Sequence, residues 1–319
     1  MYKADYREEK VMRAGKVLHG LQRSLERCDL CARECGVNRL KGEKGFCSSG
    51  AELMLYSYGP HHGEEPPLSG KNGSGTIFFS HCSMACVYCQ NHKFSYHGAG
   101  KTITIGDLRD IMLELQDIGC HNINLVSPTH YVPPIVEALR SAWSVGLELP
   151  VVYNTGGYDS PHIIKDLEGL VDIYLTDMRY ASDSMSTRYS SAPGYMSNNR
   201  AIVSEMFRQT GTMEISQGLA HRGLIIRLLM LPDGISGTAE TLEFISREIG
   251  KDVYLSVMSQ YYPVHKALSY KEIARKISRK EHERVTEKMC ELGFHKGWVQ
   301  PFESEFDKDL TGENLQANI

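Results

Sequence analysis

A chain of 319 residues with 41% hydrophobic residues, 23% charged residues and a net charge of −4 has room for one large domain and a smaller module. That balance excludes the basic excess of a nucleic-acid binder, and no apolar run approaches the roughly eighteen residues of a membrane span. Lys3, Asp5, Arg7, Glu8, Glu9 and Lys10 put charge where a signal peptide needs an apolar stretch, so the expectation is a cytoplasmic protein whose nine cysteines serve metals rather than disulfides.

The first chemistry in chain order is Cys28-x2-Cys31-x3-Cys35, with Cys47 beyond it. Four thiolates saturate one metal site. Only the first pair has the spacing of a zinc knuckle, and Lys41-Gly42-Glu43-Lys44-Gly45 splits the second pair widely, so both zinc and a second [4Fe–4S] cluster fit. Zinc would staple a module too small for its own core, whereas a cluster would relay electrons or anchor a substrate. Residues 61–75 are rich in Gly, Pro and charge and read as a seam. They divide the chain into a Cys-rich module with its linker at 1–74, a barrel at 75–300 and a tail at 301–319.

From residue 76 onward, short apolar runs alternate with helical patterns. Strands are predicted at 76–79, 122–126, 149–154, 171–177, 224–231 and 253–258, and helices at 106–118, 134–144, 162–170, 198–209, 239–249, 270–277 and 280–292. Right-handed crossovers curl six such units into a partial (β/α)6 barrel of the TIM type, with the reactive loops at the carboxyl ends of the strands and a mouth wide enough for a macromolecule. In the loop after the first strand stands Cys82-x3-Cys86-x2-Cys89. Three soft ligands leave one corner of a four-iron cluster for a ligand that is not protein, although a partial zinc site or three buried thiols is the bland alternative. Cys120 and Cys290 stand alone in helical segments and read as small buried hydrophobes.

This triad, with Tyr88 just before the third cysteine and Gln90-Asn91 after it, resembles the signature of the radical S-adenosylmethionine (SAM) superfamily. From about Cys28 to Trp298 the chain is also similar to a group of uncharacterised iron–sulfur proteins related to pyruvate formate-lyase activating enzyme. The matching stretches are Cys28 to Arg39, Gly63-Glu64-Glu65-Pro66-Pro67, Gly75-Thr76-Ile77-Phe78-Phe79, Ser127-Pro128-Thr129-His130, Tyr153-Asn154-Thr155-Gly156-Gly157-Tyr158 and Ser259-Gln260-Tyr261-Tyr262-Pro263.

The resemblance implies a radical SAM enzyme of oxidoreductase type. Cys82, Cys86 and Cys89 would hold a [4Fe–4S] cluster whose open iron takes SAM. A low-potential donor of flavodoxin or ferredoxin type would reduce it, and hydrogen would be abstracted from an unknown substrate. Tyr88, Asn91, Ser127, Thr129, His130, Asn154, Thr155, Asp177, Arg179 and Arg227 are the candidate cofactor contacts. Ser127-Pro128-Thr129-His130 replaces the Gly-Gly-Glu of activating enzymes, and His130 is as readily a structural group as a contact. Asn154 and Thr155 suit ribose hydroxyls or a plain turn. Asp177 must leave an apolar strand for the polar mouth. Arg179 stands where relatives carry Lys, offering a fork in place of a point donor to the SAM carboxylate. Arg227 keeps the arginine that activating enzymes aim at SAM, while Leu228 beside it stands where relatives carry His. Phe78, Phe79, Met84, Val87 and Tyr88 are expected to keep water from the cluster, and Tyr261 and Tyr262 read first as a plug of the barrel end. Two other functions stay open: an activase installing a glycyl radical on a protein substrate, and a metal-binding scaffold without SAM turnover. Neither a nucleic acid nor a membrane is an expected partner.

Overall fold

The computed structural model describes residues 2–302, so the expected tail lies, beyond Phe302, outside the described residues. The chain opens with α1 (Tyr2–Glu26), followed by β1 (Leu53–His61), the one-turn α2 (Pro66–Ser69), β2 (Ser74–Phe79), α3 (His92–Ser95) and β3 (Lys101–Ile103). Then come α4 (Ile105–Asp117), β4 (Ile123–Val126), α5 (Val132–Val145), β5 (Val151–Thr155), α6 (Pro161–Asp166), β6 (Ile173–Asp177), α7 (Asp183–Ser190) and α8 (Tyr195–Thr210). The last elements are β7 (Glu214–Ser216), β8 (Leu219–Leu229), α9 (Thr238–Glu248), β9 (Tyr254–Met258), α10 (Arg279–Leu292) and β10 (Gly297–Val299). Among the described residues no helix is long and apolar enough to cross a membrane.

The six expected strands are β2, β4, β5, β6, β8 and β9, adjacent in that order and all parallel. The chain folds as a partial TIM-type barrel, and the sheet carries more than the sequence suggested. β10 adds a parallel strand beside β9, β1 and β3 extend the opposite edge antiparallel, and the sheet ends at β3 and β10 without closing. The parallel strands are apolar on both faces because helices cover the outside and side chains fill the lumen. Alternation sorts those faces on β8. Leu224, Ile226 and Leu228 pack with the helical core, whereas Ile225 joins Leu68, Val152, Ile173 and Leu175 in a separate cluster. Leu228 therefore faces the helix layer and does not line the cavity, so the expected change at this position does not bear on a cavity contact.

Residues 61–75 are corrected most. The segment is not a seam: β1 belongs to the barrel sheet, and α2 lowers the fully buried Leu68 among the lumen residues of β5, β6 and β8. The Gly, Pro and charge that read as a linker serve a plug instead, with Pro66 and Pro67 opening its single turn where missing N–H groups cost nothing. Helix 270–277 is absent, and two short 3₁₀ turns, Ala267–Ser269 and Lys271–Ile273, stand in its place. Helix 162–170 stops at Asp166. Cys120 is buried as expected, but Cys290 is exposed, because it falls one position past the Val285–Met289 stripe that α10 turns inward.

At the far end of the barrel, α1 packs on α5 and sends Lys10 inward. Its Nζ donates to Asp172 Oδ2 (2.6 Å) and Leu170 O (3.1 Å), while Asp172 also accepts the Val151 N–H (2.7 Å) and the Tyr6 hydroxyl. Removing one partner of a buried pair strands the other charge. Asp172→Ala is expected to cost about 3–5 kcal/mol in urea denaturation, and a loss under about 1 kcal/mol would show that Lys10 escapes to solvent.

Candidate active site

The strand β2 must turn sharply to present its cysteines. His81 adopts φ +71°, its N–H donates to Phe94 O (2.8 Å), and its ring lies so close to Gly98 that a Cβ there would sit 2.4 Å away. Cys82, Cys86 and Cys89 then line one cavity of about 490 Å³ at the strand ends. Each sulfur has a hydrogen-bonding group beside it. The Met84 N–H lies 3.4 Å from Cys82 Sγ, Arg179 Nη1 and Ser190 Oγ donate to Cys86 Sγ at 3.2 and 3.0 Å, and Ser95 Oγ is 3.1 Å from Cys89 Sγ. Burial pushes the Cys82 thiol up to about 12 and raises Cys89, with the charge of Cys86 adding to both. Among the described residues no three His, Cys, Asp or Glu side chains already converge as a metal cage. The fit to a cluster is chemical: three soft donors line one cavity, each with a hydrogen-bonding neighbour.

Of the apolar residues expected around the cluster, Phe78, Met84 and Tyr88 line the cavity, whereas Phe79 faces away and packs on Tyr131 with ring centroids 5.9 Å apart. Tyr88 meets the Tyr180 hydroxyl at 2.7 Å and the ring of Tyr261 edge-on at 5.8 Å. Tyr261 is buried and spends its hydroxyl on Ile273 O (2.7 Å), as a plug would, while Tyr262 is 43% exposed.

The polar candidates divide. Asn91, Ser127, Asn154, Thr155, Asp177, Arg179 and Arg227 line the cavity. The Asn91 side-chain oxygen is buried without a partner, but Thr155 donates its hydroxyl to Asp159 Oδ2 (2.6 Å), which fits the turn reading. In that turn Gly157 has φ +77° and could hold no Cβ, since Asp177 O would lie 2.4 Å from it. Thr129 and His130 do not line the cavity. After β4, Ser127 takes φ +55° and a 3₁₀ turn, Thr129–Tyr131, carries both side chains beneath the strand ends. His130 Nε2 meets Ser80 O at 2.8 Å, and burial lowers its pKa to about 3, so it is a neutral structural group.

Arg179 is not a free fork. It donates through Nε to Asp177 Oδ2 (2.9 Å) as well as to Cys86. Arg227 is likewise committed: Nε and Nη2 donate to Glu65 Oε1 and Oε2, both at 2.7 Å, and Nη2 also reaches Glu64. Burial alone would raise the Glu65 carboxyl, but the Arg227 guanidinium holds it below its ordinary range. Glu64 accepts the Asn124 amide at 3.0 Å. These carboxylates and His61 line the cavity and were absent from the sequence-derived set, where their stretch read as linker. The available signal was a Glu-Glu pair directly ahead of Pro-Pro-Leu, a helix start with one apolar anchor.

The N-terminal cysteines lie near enough for their charges to act on one another, although among the described residues no three of them form a cage. Burial raises the Cys28 thiol and pushes Cys31 up to about 12. Neighbouring thiol charges add to each, Cys35 and Cys47 at Cys28, and Cys47 and Cys28 at Cys31. Arg33, between Cys31 and Cys35, donates to Ser83 O (2.8 Å) inside the Cys82 loop and stacks on Phe46 at 3.3 Å.

Residues 76–189 match the model of the Radical SAM superfamily. An uncharacterized protein of Methanocaldococcus jannaschii, MJ0674, is 29% identical over 272 residues, which cover 82% of this chain and 73% of that protein. Similar solved structures include HydG, a maturase of the [FeFe]-hydrogenase (14% identity, 68% of this chain and 49% of that one, TM-score 0.47). Methylornithine synthase, PylB, is another (16%, 67% and 61%, 0.45), as is anSMEcpe with bound AdoMet (11%, 66% and 55%, 0.42). The chain spans about half to three fifths of the length of these three.

Arg227→Ala leaves two buried carboxylates without their cation, and a loss of about 3–5 kcal/mol at neutral pH is expected. Glu65 is held below its ordinary value, so its contribution is full above an unfolded-state pKa of about 4.3 and is lost as pH falls through its lower folded value. Urea titrations at about pH 7 and pH 3.5 should therefore show wild type and variant drawing together in acid. An equal gap at both would show that the carboxylates find other partners.

Proposed function

We propose, because residues 76–189 match the radical SAM family model, that the chain is an enzyme that holds a [4Fe–4S] cluster on Cys82, Cys86 and Cys89 and binds SAM in the cavity beside them. The observation that carries this reading is the sharing of one cavity by three thiols, each with a hydrogen-bonding neighbour, and by polar strand ends. A reduced cluster held on Cys82, Cys86 and Cys89 would supply the electron for reductive cleavage of the S–C5′ bond of SAM, and so radical chemistry on a substrate. The protein supplies position. Ser127 and Asn154 at the strand ends and Asn91 just before α3 offer polar groups to SAM, and the Asp177–Arg179 pair offers a carboxylate and a guanidinium in one place. Phe78, Met84, Tyr88 and Tyr261 exclude water. Arg179 and Ser190, bonded to Cys86, favour the electron-rich state of that sulfur and so raise the potential at which an electron enters. A low-potential donor of flavodoxin or ferredoxin type is the partner this chemistry requires.

Cys28, Cys31, Cys35 and Cys47 are proposed as a second metal site, supported by the mutual influence of their charges at Cys28 and Cys31. Its metal is zinc or a second cluster.

Cys86→Ala is expected to abolish dithionite-driven release of 5′-deoxyadenosine while leaving the far-ultraviolet dichroism unchanged; release at the wild-type rate overturns the assignment. Metal analysis of the anaerobically reconstituted protein separates the N-terminal possibilities: about eight irons without zinc means two clusters, and about four irons with one zinc means a staple. About four irons, no zinc and no loss on Cys31→Ser would remove the second site altogether.

A further inference from the structure

The triad sulfurs are not treated alike. Cys82 and Cys89 each have one neighbour, a backbone N–H and a serine hydroxyl respectively, whereas Cys86 receives two donors, the Arg179 guanidinium and the Ser190 hydroxyl. That hydroxyl is the end of a longer relay. Tyr180 Oη lies 2.7 Å from Ser190 Oγ, and Tyr88 Oη lies 2.7 Å from Tyr180 Oη. Cys86, Ser190, Tyr180 and Tyr88 are all buried, and the backbone holds them in place. The Ala85 and Val87 N–H groups donate to Ser190 O (2.9 Å) and Tyr189 O (2.8 Å), so the triad loop is laced to the end of α7 on either side of Cys86.

The direction of these bonds follows from the acceptor. A hydroxyl has a single proton, and a metal-bound thiolate only accepts. Ser190 therefore donates to Cys86, Tyr180 donates to Ser190, and Tyr88 donates to Tyr180. Each oxygen that accepts a bond gives a stronger one, so the donor at the sulfur is strengthened by the two behind it. Other tyrosines of the same aromatic cluster end on carbonyl oxygens: Tyr158 on Pro193 O (2.8 Å), Tyr195 on Gly156 O (2.9 Å) and Tyr261 on Ile273 O (2.7 Å). Among the described residues the hydroxyls of Tyr88 and Tyr180 bond only within the relay. Packing against Val87, Ala192 and Leu231 needs the rings alone, and a hydroxyl placed there costs free energy unless it is bonded. The outlet of both hydroxyls is the Cys86 sulfur.

We infer that Tyr180 and Tyr88 are positioning residues for electron entry: acting through Ser190, they withdraw electron density from Cys86 and raise the potential at which a cluster on the triad is reduced. The inference rests on the proposed cluster at Cys82, Cys86 and Cys89, and it extends control of the potential to two tyrosines that make no hydrogen bond to the sulfur.

The test is a redox titration of the reconstituted protein without SAM, followed by electron paramagnetic resonance. Ser190→Ala is expected to make reduction about tenfold less favourable, which is a fall of about 59 mV in the midpoint of a one-electron couple. Tyr180→Phe and Tyr88→Phe are expected to lower the midpoint by less, in that order, at unchanged iron content. Both variants keep the ring and its packing, so a midpoint that stays at the wild-type value, or rises, overturns the inference. A double-mutant cycle tests the route. In a Ser190→Ala background, Tyr180→Phe should move the midpoint no further, whereas an additive shift means that Tyr180 acts on the cluster some other way and overturns the relay. Should Ser190→Ala fail to hold iron, the two tyrosine variants alone still give the answer. Wild type that takes up no cluster sinks the radical SAM reading itself; a cluster whose midpoint ignores both tyrosine hydroxyls sinks only this inference.

Discussion

Asp177 and Arg227 are register partners on the adjacent parallel strands β6 and β8, and the site is built outward from that pair of positions. Neither charge is tolerable on a buried strand end without a partner, because withdrawing an ion from water costs several kcal/mol. Each finds its partner in a different direction. Asp177 takes Arg179, whose other nitrogen reaches Cys86, and so the strand end is tied to the thiol loop. Arg227 takes Glu65 and Glu64, and so the next strand is tied to the plug beneath the cavity. The result is a run of alternating charge from the cysteine wall to the floor, in which every member is positioned by its neighbours. A helix or loop would not hold such a run in register; hydrogen-bonded parallel strands do.

That arrangement separates what was readable in the sequence from what was not. The six parallel strands were readable because burial on both faces demands continuous apolar runs, and the triad was readable because three thiols at fixed spacing have few other uses. Residues at strand ends could be named but not aimed. Arg179 and Arg227 were read as cations for SAM, since nothing local to Arg179 shows that Cys86, 93 residues away, will share it with Asp177, and nothing local to Arg227 shows a Glu pair more than 160 residues away. His130 and Phe79 failed for a smaller reason: one positive φ at Ser127, and the alternation of one strand, decided which side each faces. The plug was the largest miss. Gly, Pro and charge describe a linker and a lumen-filling turn equally well, and only the tertiary burial of Leu68 distinguishes them.

The Cys-rich N-terminal loop is likewise joined to the barrel more closely than its place in the chain suggests. Arg33 donates to Ser83 O within the triad loop, and Arg39, itself buried, donates to His130 O, while His130 Nε2 meets Ser80 O just ahead of Cys82. Two rigid arginine contacts and a histidine that stays neutral across ordinary pH thus place both cysteine loops in one frame. Any metal that orders residues 28–47 acts on the backbone that carries Cys82. A change at one cysteine set is therefore expected to be felt at the other through these bonds.

Energetics give the floor of the cavity its meaning. An ion cluster buried among apolar residues is weak evidence for stability, since well-packed hydrophobic replacements of such clusters are often neutral or stabilising. Leu68 and its lumen neighbours already close the barrel, so Glu64 and Glu65 are not needed to fill it. Arg227 alone could have been omitted with them. What the cluster supplies that a hydrophobic plug would not is a fixed field: an acceptor-rich, net negative surface on the cavity that the three thiols also line, held by a guanidinium that cannot lose its proton. Within the cavity that field is screened less than it would be in bulk water. The stability given up to bury it is consistent with a surface that presents charge to the cavity rather than one that only packs the barrel.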